Sequence, residues 1–579
     1  MRRLSFFDSP VVRVSFPTWR GRLVLLVLGM SFLVLLGRAV YLQSVNRDFL
    51  QEQGGKRYER TVTLPATRGK IVDRQGIVLA ASIPAKAIWA IPEDTRSATP
   101  DQLGELAALL QMSADSLQKH LSNGSKTFVY LRRQLPLETA DKIEALRIPG
   151  IHSLAETRRF YPEGEVTGTV VGFTNLDDLG QEGLELTYND QLSGKPGSRR
   201  VIKDRLGQVV EDIRAVNLPV NGQDIQLSID TRIQYQMYRT LVEAVEFNEA
   251  QSASGVVVDV QTGEILALVN YPTFDPNDRS TLRGSKLRNR VLTDTFEPGS
   301  ILKPFTMGLA YALDRINDDT KIDTGRGELV FHGERIRDVS KNGVLDPKGV
   351  LTKSSNIGMA KISERLKAQE MWTQFTALGF GQPPSIGFPG AAAGRLRPWE
   401  RWRPIEQATM AYGYGLSTSL LQVAKAYTAF ARDGEMVNLT LIKRKDSPAT
   451  IPVYDAAIAK KIRAMLESSA GPDGAKLAQV QGYRVAGKSG TARKIVKGKY
   501  SQELYRSSFV GFGPVSNSRI VVAVSIDEPV AGHYYGGRVA APLFATIMGR
   551  TLRMMGVEPD APFDSEVVAQ SQADVGGQR

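Results

Sequence analysis

The sequence predicts an α+β body carried on a single N-terminal membrane helix. Three observations predict it. Leu23 to Gly37 is free of charge, and with Arg38 to Leu42 makes about 20 residues, or ~30 Å of helix. Strand-like runs lie at the two ends of the C-terminal half, near 255–270 and 484–526, with helical stretches between them, whereas βαβ units would interleave the two. Apolar residues make up 42% and charged residues 23%, a globular balance that rules out whole-chain disorder.

Taken in order, residues 1–22 hold five Arg against one Asp, so the positive-inside rule puts them in the cytoplasm and everything after the span at 23–42 outside. A cleaved signal peptide is the alternative, but Ala39-Val40-Tyr41 ends in a bulky residue unlike an A-x-A site. Residues 46–66 read as a polar, basic stalk. Asp73-Arg74-Gln75-Gly76 reads as a turn between the short strands Ile71-Val72 and Ile77–Leu79. Amphipathic helices are expected over 100–122 and 137–146, and strands resume near 209–216. The texture changes at Leu218–Gly222. Beyond it, Asp230-Thr231 can cap a helix running to about Phe247. Two apolar runs joined by Gln261-Thr262-Gly263 make a hairpin. Helices are expected over 300–314, 354–367, 418–432, 455–468 and 540–554, and strands over 484–487, 507–513 and 519–526. The expected domains are a tail at 1–22, the span at 23–42, an extracytoplasmic domain at 43–220, a second at 221–556, and a disordered tail at 557–579.

Composition excludes several chemistries. With no Cys there are no disulfides, thiolate metal sites or cysteine nucleophiles. The four His, at 120, 152, 332 and 533, are too far apart in sequence to suggest a metal pair, so no metal is expected. A net charge of +12 suits nucleic acid or an anionic membrane, but no long basic run or nucleic-acid motif accompanies it, so no nucleic-acid partner is expected.

Three short motifs carry chemistry. In Ser300-Ile301-Leu302-Lys303, serine and lysine three apart share one helix face. Pro304 places Ser300 at or near the helix start, where the dipole favours a developing oxyanion. A desolvated Lys303 among other cations can act as a base. In Ser354-Ser355-Asn356, a hydroxyl can relay a proton and an amide can hold a carbonyl, although ordinary N-capping uses the same residues. In Lys488-Ser489-Gly490-Thr491, small residues let a substrate backbone approach a strand, Lys488 offers a cation and Ser489 a hydroxyl. Gly482 to Ser489 also matches the phosphate-loop pattern, but no strand–loop–helix context follows it.

S-x-x-K, S-x-N and K-[ST]-G in this order resemble the signature set of penicillin-binding proteins and serine β-lactamases. Arg68–Gly76, Arg159-Phe160-Tyr161-Pro162 and Gly183-Leu184-Glu185 resemble the boxes of the non-catalytic pedestal of class B penicillin-binding proteins. Tyr412-Gly413-Tyr414-Gly415 and Phe509-Val510-Gly511-Phe512 resemble segments of their transpeptidase domain. The resemblance runs from about residue 20 to 555, and the short tail and overall length resemble the division-specific branch of Gram-negative bacteria. It implies an elongated pedestal at 43–220 and a β-lactamase-like transpeptidase domain at 221–556, an antiparallel sheet with helices. It implies a peptidoglycan D,D-transpeptidase that cross-links stem peptides at the septum through a serine acyl-enzyme, is blocked by β-lactams and needs no cofactor. Ser300 is then the nucleophile, Lys303 the base, Ser354 the relay, Asn356 the holder of the substrate amide and Lys488 the tuning cation. Ser489, Gly490, Thr491 and Tyr414 bind substrate, with Ser489 standing where many members have Thr. Backbone N–H groups of Ser300 and Thr491 form the oxyanion hole. The implied partners are stem peptides, an FtsW-like lipid-II polymerase and other division proteins, at the inner membrane. Rival readings are an elongation-specific transpeptidase, a β-lactamase, a D,D-carboxypeptidase, a β-lactam-sensing receptor and a non-catalytic division scaffold. Glu400 and Glu406, the acidic residues named between the second and third motifs, lack a hydrolase-like context and are expected to pair with Arg401 or Arg403.

Overall fold

The computed structural model describes residues 17–47, 59–122, 128–203 and 209–562. They fall into two compact units, Met1–Ala66 with Lys195–Asn221, and Thr67–Gly194 with Gly222–Arg579. Part of the expected stalk is a strand: Glu59–Leu64 pairs antiparallel with Gly197–Lys203, which pairs with Val209–Asn217. The β-branched alternation Thr61-Val62-Thr63 overrides the basic composition that suggested a stalk. In the same unit, Thr18–Ser44 is one helix of 27 residues, longer than the expected span. Its apolar window has a mean hydropathy of 2.4 and none of it is buried by protein. The Arg20 guanidinium lies over the Trp19 ring and that of Arg38 over Tyr41, so each end of the apolar stretch carries an aromatic beside a cation.

The larger unit is built on a five-stranded antiparallel sheet. Its order is Ile265–Tyr271, Ser252–Asp259, Ile520–Asp527, Lys499–Gly513, Ala486–Val496. Strands from both ends of the domain thus lie side by side, as the α+β reading expected. Every residue of Ser252–Asp259 and of Ile520–Asp527 is buried, because both faces are covered. Val257, Val522 and Val524 pack with Met237, Leu241, Phe544 and Ile547 of helices Thr231–Phe247 and Gly536–Met554. Val256, Val258, Val521 and Ala523 join the opposite core with Phe305, Tyr427 and Phe430, from helices Lys303–Ala312 and Leu420–Ala431. A period of two with both sides apolar makes a continuous apolar run, which is why Val256-Val257-Val258 shows no polar alternation.

The segments resembling pedestal boxes are structural devices in this unit. Asp73, fully buried, closes its turn by accepting from the backbone N–H groups of Gln75 and Ile77 at 2.8 and 2.9 Å. Its other oxygen accepts from the Thr231 hydroxyl at 2.9 Å, at the start of helix Thr231–Phe247. Glu185, Arg68 and Arg159 form a buried triad: Glu185 accepts from each arginine Nε at 2.7 Å. Removing one partner from such a buried set costs ~3–5 kcal/mol, because a charge is left without compensation. The helix expected over 100–122 is two helices, Pro100–Leu109 and Ala114–Leu121, the second started by Ser113, whose side chain accepts from Ser116 N. The expected disorder from 557 does not hold for 557–562. Asp560 accepts from Arg484 N at 2.7 Å and Ser516 N at 3.1 Å, and Tyr483 donates to the Val557 carbonyl at 2.7 Å. A short polar tail thus satisfies backbone donors that flank two sheet strands. The rest of that expected tail, and residues 1–16, lie outside the described residues.

Candidate active site

The first motif begins in a tight turn. Pro298-Gly299 bends into the one-turn 3-10 helix Gly299–Leu302, and the α-helix Lys303–Ala312 follows with Pro304 in its first turn. In 3-10 geometry residues three apart eclipse, so Ser300 and Lys303 point the same way. Gly299 has φ +56°, a left-handed conformation that glycine adopts without a Cβ penalty. Its N–H donates to the Gly413 carbonyl at 3.0 Å, and the buried Tyr427 hydroxyl donates to the Ile301 carbonyl at 2.8 Å. The nucleophile turn is therefore held from two sides.

The other two motifs meet it. Ser354 has φ +57°, and this left-handed residue turns its carbonyl and hydroxyl toward Lys303. Lys303 Nζ donates to the Ser354 carbonyl at 2.5 Å and to Ser354 Oγ at 3.1 Å. Ser354 Oγ donates to Ser300 Oγ at 3.0 Å and accepts from Lys488 Nζ at 3.0 Å. Lys488 stands on the edge strand Ala486–Val496, which leaves no loop to cradle a phosphate and closes that alternative. Ser300, Lys303, Ser354 and Lys488 form one connected hydroxyl–amine cluster.

Burial sets its electrostatics. Lys303 is fully buried and Lys488 is 1% exposed. Desolvation, followed by repulsion from Lys488, holds the Lys303 ammonium well below its usual range, while Asp338 pulls the other way. Burial takes Lys488 down to about 8. Two ammonium groups sharing one desolvated hydroxyl oppose each other's protonation, so a neutral amine beside Ser354 is favoured.

The remaining expected residues are less uniform. Asn356 points its amide nitrogen at the Arg337 carbonyl, 3.0 Å away, and bonds none of the cluster. Ser489 is half-exposed on the edge strand, and its carbonyl accepts from Lys488 Nζ at 3.3 Å. Thr491 Oγ1 accepts from Gly536 N, the first residue of helix Gly536–Met554, at 2.9 Å. Gly490 has a packing reason beyond substrate approach: a Cβ there would come within 3.0 Å of Pro298 O and of Ile301 Cγ2 in the nucleophile turn. Tyr414 donates to the Thr491 carbonyl at 3.4 Å and meets Tyr500 edge to face. Glu406 accepts from Arg397 at 2.8 Å and from Arg403 N at 2.8 Å, starting helix Pro404–Ala411, so its carboxylate is already engaged. Arg397 is a partner the sequence reading did not name.

Three neighbours were missed. Glu297 accepts from Gly415 N at 2.7 Å and from the Tyr500 hydroxyl at 3.1 Å, and burial pushes its carboxyl upward. Asp338 accepts from Ser355 and Asn356, and Tyr427 holds the turn. Glu297 adjoins the first motif and could have been suspected. Asp338 and Tyr427 are 16 and more residues from any motif, and no local pattern marks them.

An antiparallel sheet with S-x-x-K, S-x-N and K-[ST]-G gathered at one edge is the architecture of the penicillin-recognising proteins. Residues 253–549 match the penicillin binding protein transpeptidase domain, and residues 63–227 the penicillin-binding protein dimerisation domain. A probable peptidoglycan D,D-transpeptidase PenA of Neisseria gonorrhoeae is 42% identical over 95% of this chain and 96% of its own length. The peptidoglycan D,D-transpeptidase FtsI of Escherichia coli is 38% identical over 94% of both chains. The apo transpeptidase domain of Burkholderia pseudomallei penicillin-binding protein 3 aligns with a TM-score of 0.54 and 52% identity, covering 58% of this chain and 98% of that one. The chain belongs to the class B penicillin-binding proteins.

Proposed function

We propose that the protein is a membrane-anchored peptidoglycan D,D-transpeptidase that cross-links stem peptides during septal wall synthesis. The observation that carries this reading is the unbroken hydrogen-bond path from Ser300 through Ser354 to Lys303. Ser300 Oγ attacks the carbonyl of the penultimate D-Ala. Its proton passes through the Ser354 hydroxyl to the neutral Lys303 amine, and the C–N bond breaks to release the terminal D-Ala, which takes up a proton. An amine of a second stem peptide then displaces Ser300 from the ester, and Ser300 recovers its proton. Lys488 supplies positive field to Ser354, and the N–H groups of Ser300 and Thr491 stabilise the oxyanion. Ser489, Gly490 and Thr491 receive the donor's carboxylate end along the edge strand, Tyr414 flanks it, and Asn356 holds its amide after releasing Arg337. Five Arg before the span support a cytoplasmic N-terminus and a periplasmic body at the inner membrane. A lipid-II polymerase of the FtsW type and other division proteins are the proposed partners.

The acyl-enzyme lifetime tests the reaction. Purified protein lacking residues 1–43 forms a penicillin adduct that survives for tens of minutes by intact-mass spectrometry, because among the described residues no carboxylate bonds to the cluster to activate water. Turnover of many equivalents in that time would mean a β-lactamase. Depletion in cells tests the septal role: filaments support it, and round cells mean an elongation enzyme.

A further inference from the structure

Asp338 lies 16 residues before Ser354, just after the exposed hairpin of Glu328–Phe331 and Glu334–Arg337. One carboxylate oxygen accepts from Asn356 N at 2.6 Å and Ile357 N at 3.0 Å, and the other accepts from the Ser355 hydroxyl at 2.5 Å. Ser355 Oγ in turn accepts from Gly358 N at 2.8 Å. All three donors to Asp338 belong to the first turn of helix Asn356–Ser363 or its cap, and the residue before that cap is the left-handed Ser354. A serine does not hold that conformation unaided, since αL costs ~1–2 kcal/mol for a residue with a Cβ. Among the described residues no lysine or arginine pairs with Asp338, and neighbouring Arg337 turns its Nε to Glu328 at 2.9 Å. The charge is thus met by helix N–H groups, close to a cluster that contains two lysines and no carboxylate.

We propose that Asp338 is a positioning residue for acyl transfer: it locks the Ser354-Ser355-Asn356 turn so that Ser354 grips Lys303, and it is the counter-charge of Lys303. This rests on the transpeptidase reading above. The charged and titratable groups around it are Lys303 on the nucleophile helix, Tyr412 before Gly413, and Arg337 on its own hairpin. A nearby negative charge favours the ammonium form of Lys303, so removing it lowers the pH at which Lys303 becomes neutral.

The test is the pH profile of penicillin acylation. Asp338→Asn keeps the shape and loses the charge. It is expected to acylate ~10- to 100-fold more slowly at its optimum through misplacement of Ser354, with the acid limb moved down by about one unit. Asp338→Glu keeps the charge, and its limb stays with the parent's. Ser355→Ala removes the hydroxyl that joins Asp338 to Gly358 N and leaves the charge of Asp338 in place; it slows acylation, leaves the limb where it is, and serves as the readout if Asp338→Asn fails to fold. Parental rate and limb in Asp338→Asn, or parental rate in Ser355→Ala, would overturn the proposal. A slower Asp338→Asn with an unmoved limb would overturn the counter-charge. A parent protein with no adduct on Ser300 would instead sink the transpeptidase reading, so the two failures are distinct.

Discussion

Ser300→Ala forms no penicillin adduct and remains folded, and this is the largest effect the site predicts. Ser300 is half-exposed, and its hydroxyl contributes one hydrogen bond to the cluster, from Ser354 at 3.0 Å. Losing one such bond costs ~1 kcal/mol, small beside the core that carries the turn. The nucleophile has no understudy. Ser354 Oγ is ringed by Ser300, Lys303 and Lys488 and passes the proton between them, whereas Ser300 bonds Ser354 alone within the cluster. Ser300 accepts one bond and retains a lone pair at the start of a helix. Peptide mapping should therefore find the parent's adduct on the peptide containing Ser300, and gel labelling with a fluorescent penicillin should be blank for Ser300→Ala while its circular dichroism matches the parent's. An adduct on Ser354 would overturn the assignment of nucleophile.

Most of the sheet was legible because its signal is local. Glu264–Asn270 and Gly255–Val260 flank a three-residue turn, and hairpin pairing follows from turn chemistry. The edge strand was legible only in part. The sequence marks Arg484–Gly487, yet the strand runs from Ala486 to Val496 and contains the whole third motif. Lys488, Ser489, Gly490 and Arg493 have low strand propensity, and what keeps them extended is pairing with Lys499–Gly513, which no local pattern records. The cluster was legible as residue types, since three motifs name Ser300, Lys303, Ser354 and Lys488. Its geometry was not, because it depends on a left-handed Ser354, and the residues that follow it donate to a carboxylate that no motif marks, Asp338. Gly490 shows the same limit from the other direction: its small size reads as room for substrate, while much of that room is taken by Pro298 and Ile301.

Lys303→Met is expected to lower acylation by ~10²-fold or more, the range of lost general-base catalysis. Met matches the length of the lysine stem and fills the buried site without charge, so packing around Phe305 and Leu302 survives. Lys303→Arg fails by a different route, since arginine keeps the charge and does not deprotonate. The two variants together separate charge from basicity: if Lys303 served as a fixed cation, Arg would rescue and Met would not, whereas a base is lost in both. The pH profile separates Lys303 from Lys488. Burial and Lys488 depress Lys303, so its neutral fraction, and parental acylation with it, rises as pH rises through that depressed value. The acid limb should vanish in Lys303→Met. A limb persisting at about 8, where burial places Lys488, would make Lys488 the base. Stability carries the same sign. A lysine whose folded value lies below its unfolded 10.5 binds fewer protons in the folded state, so parental stability rises with pH, for Lys488 between about 8 and 10.5. Lys303→Met removes its own share of that slope and leaves the Lys488 share. A variant that loses activity yet keeps the parent's full slope would mean that Lys303 is charged in both states, and the neutral-base mechanism would fall.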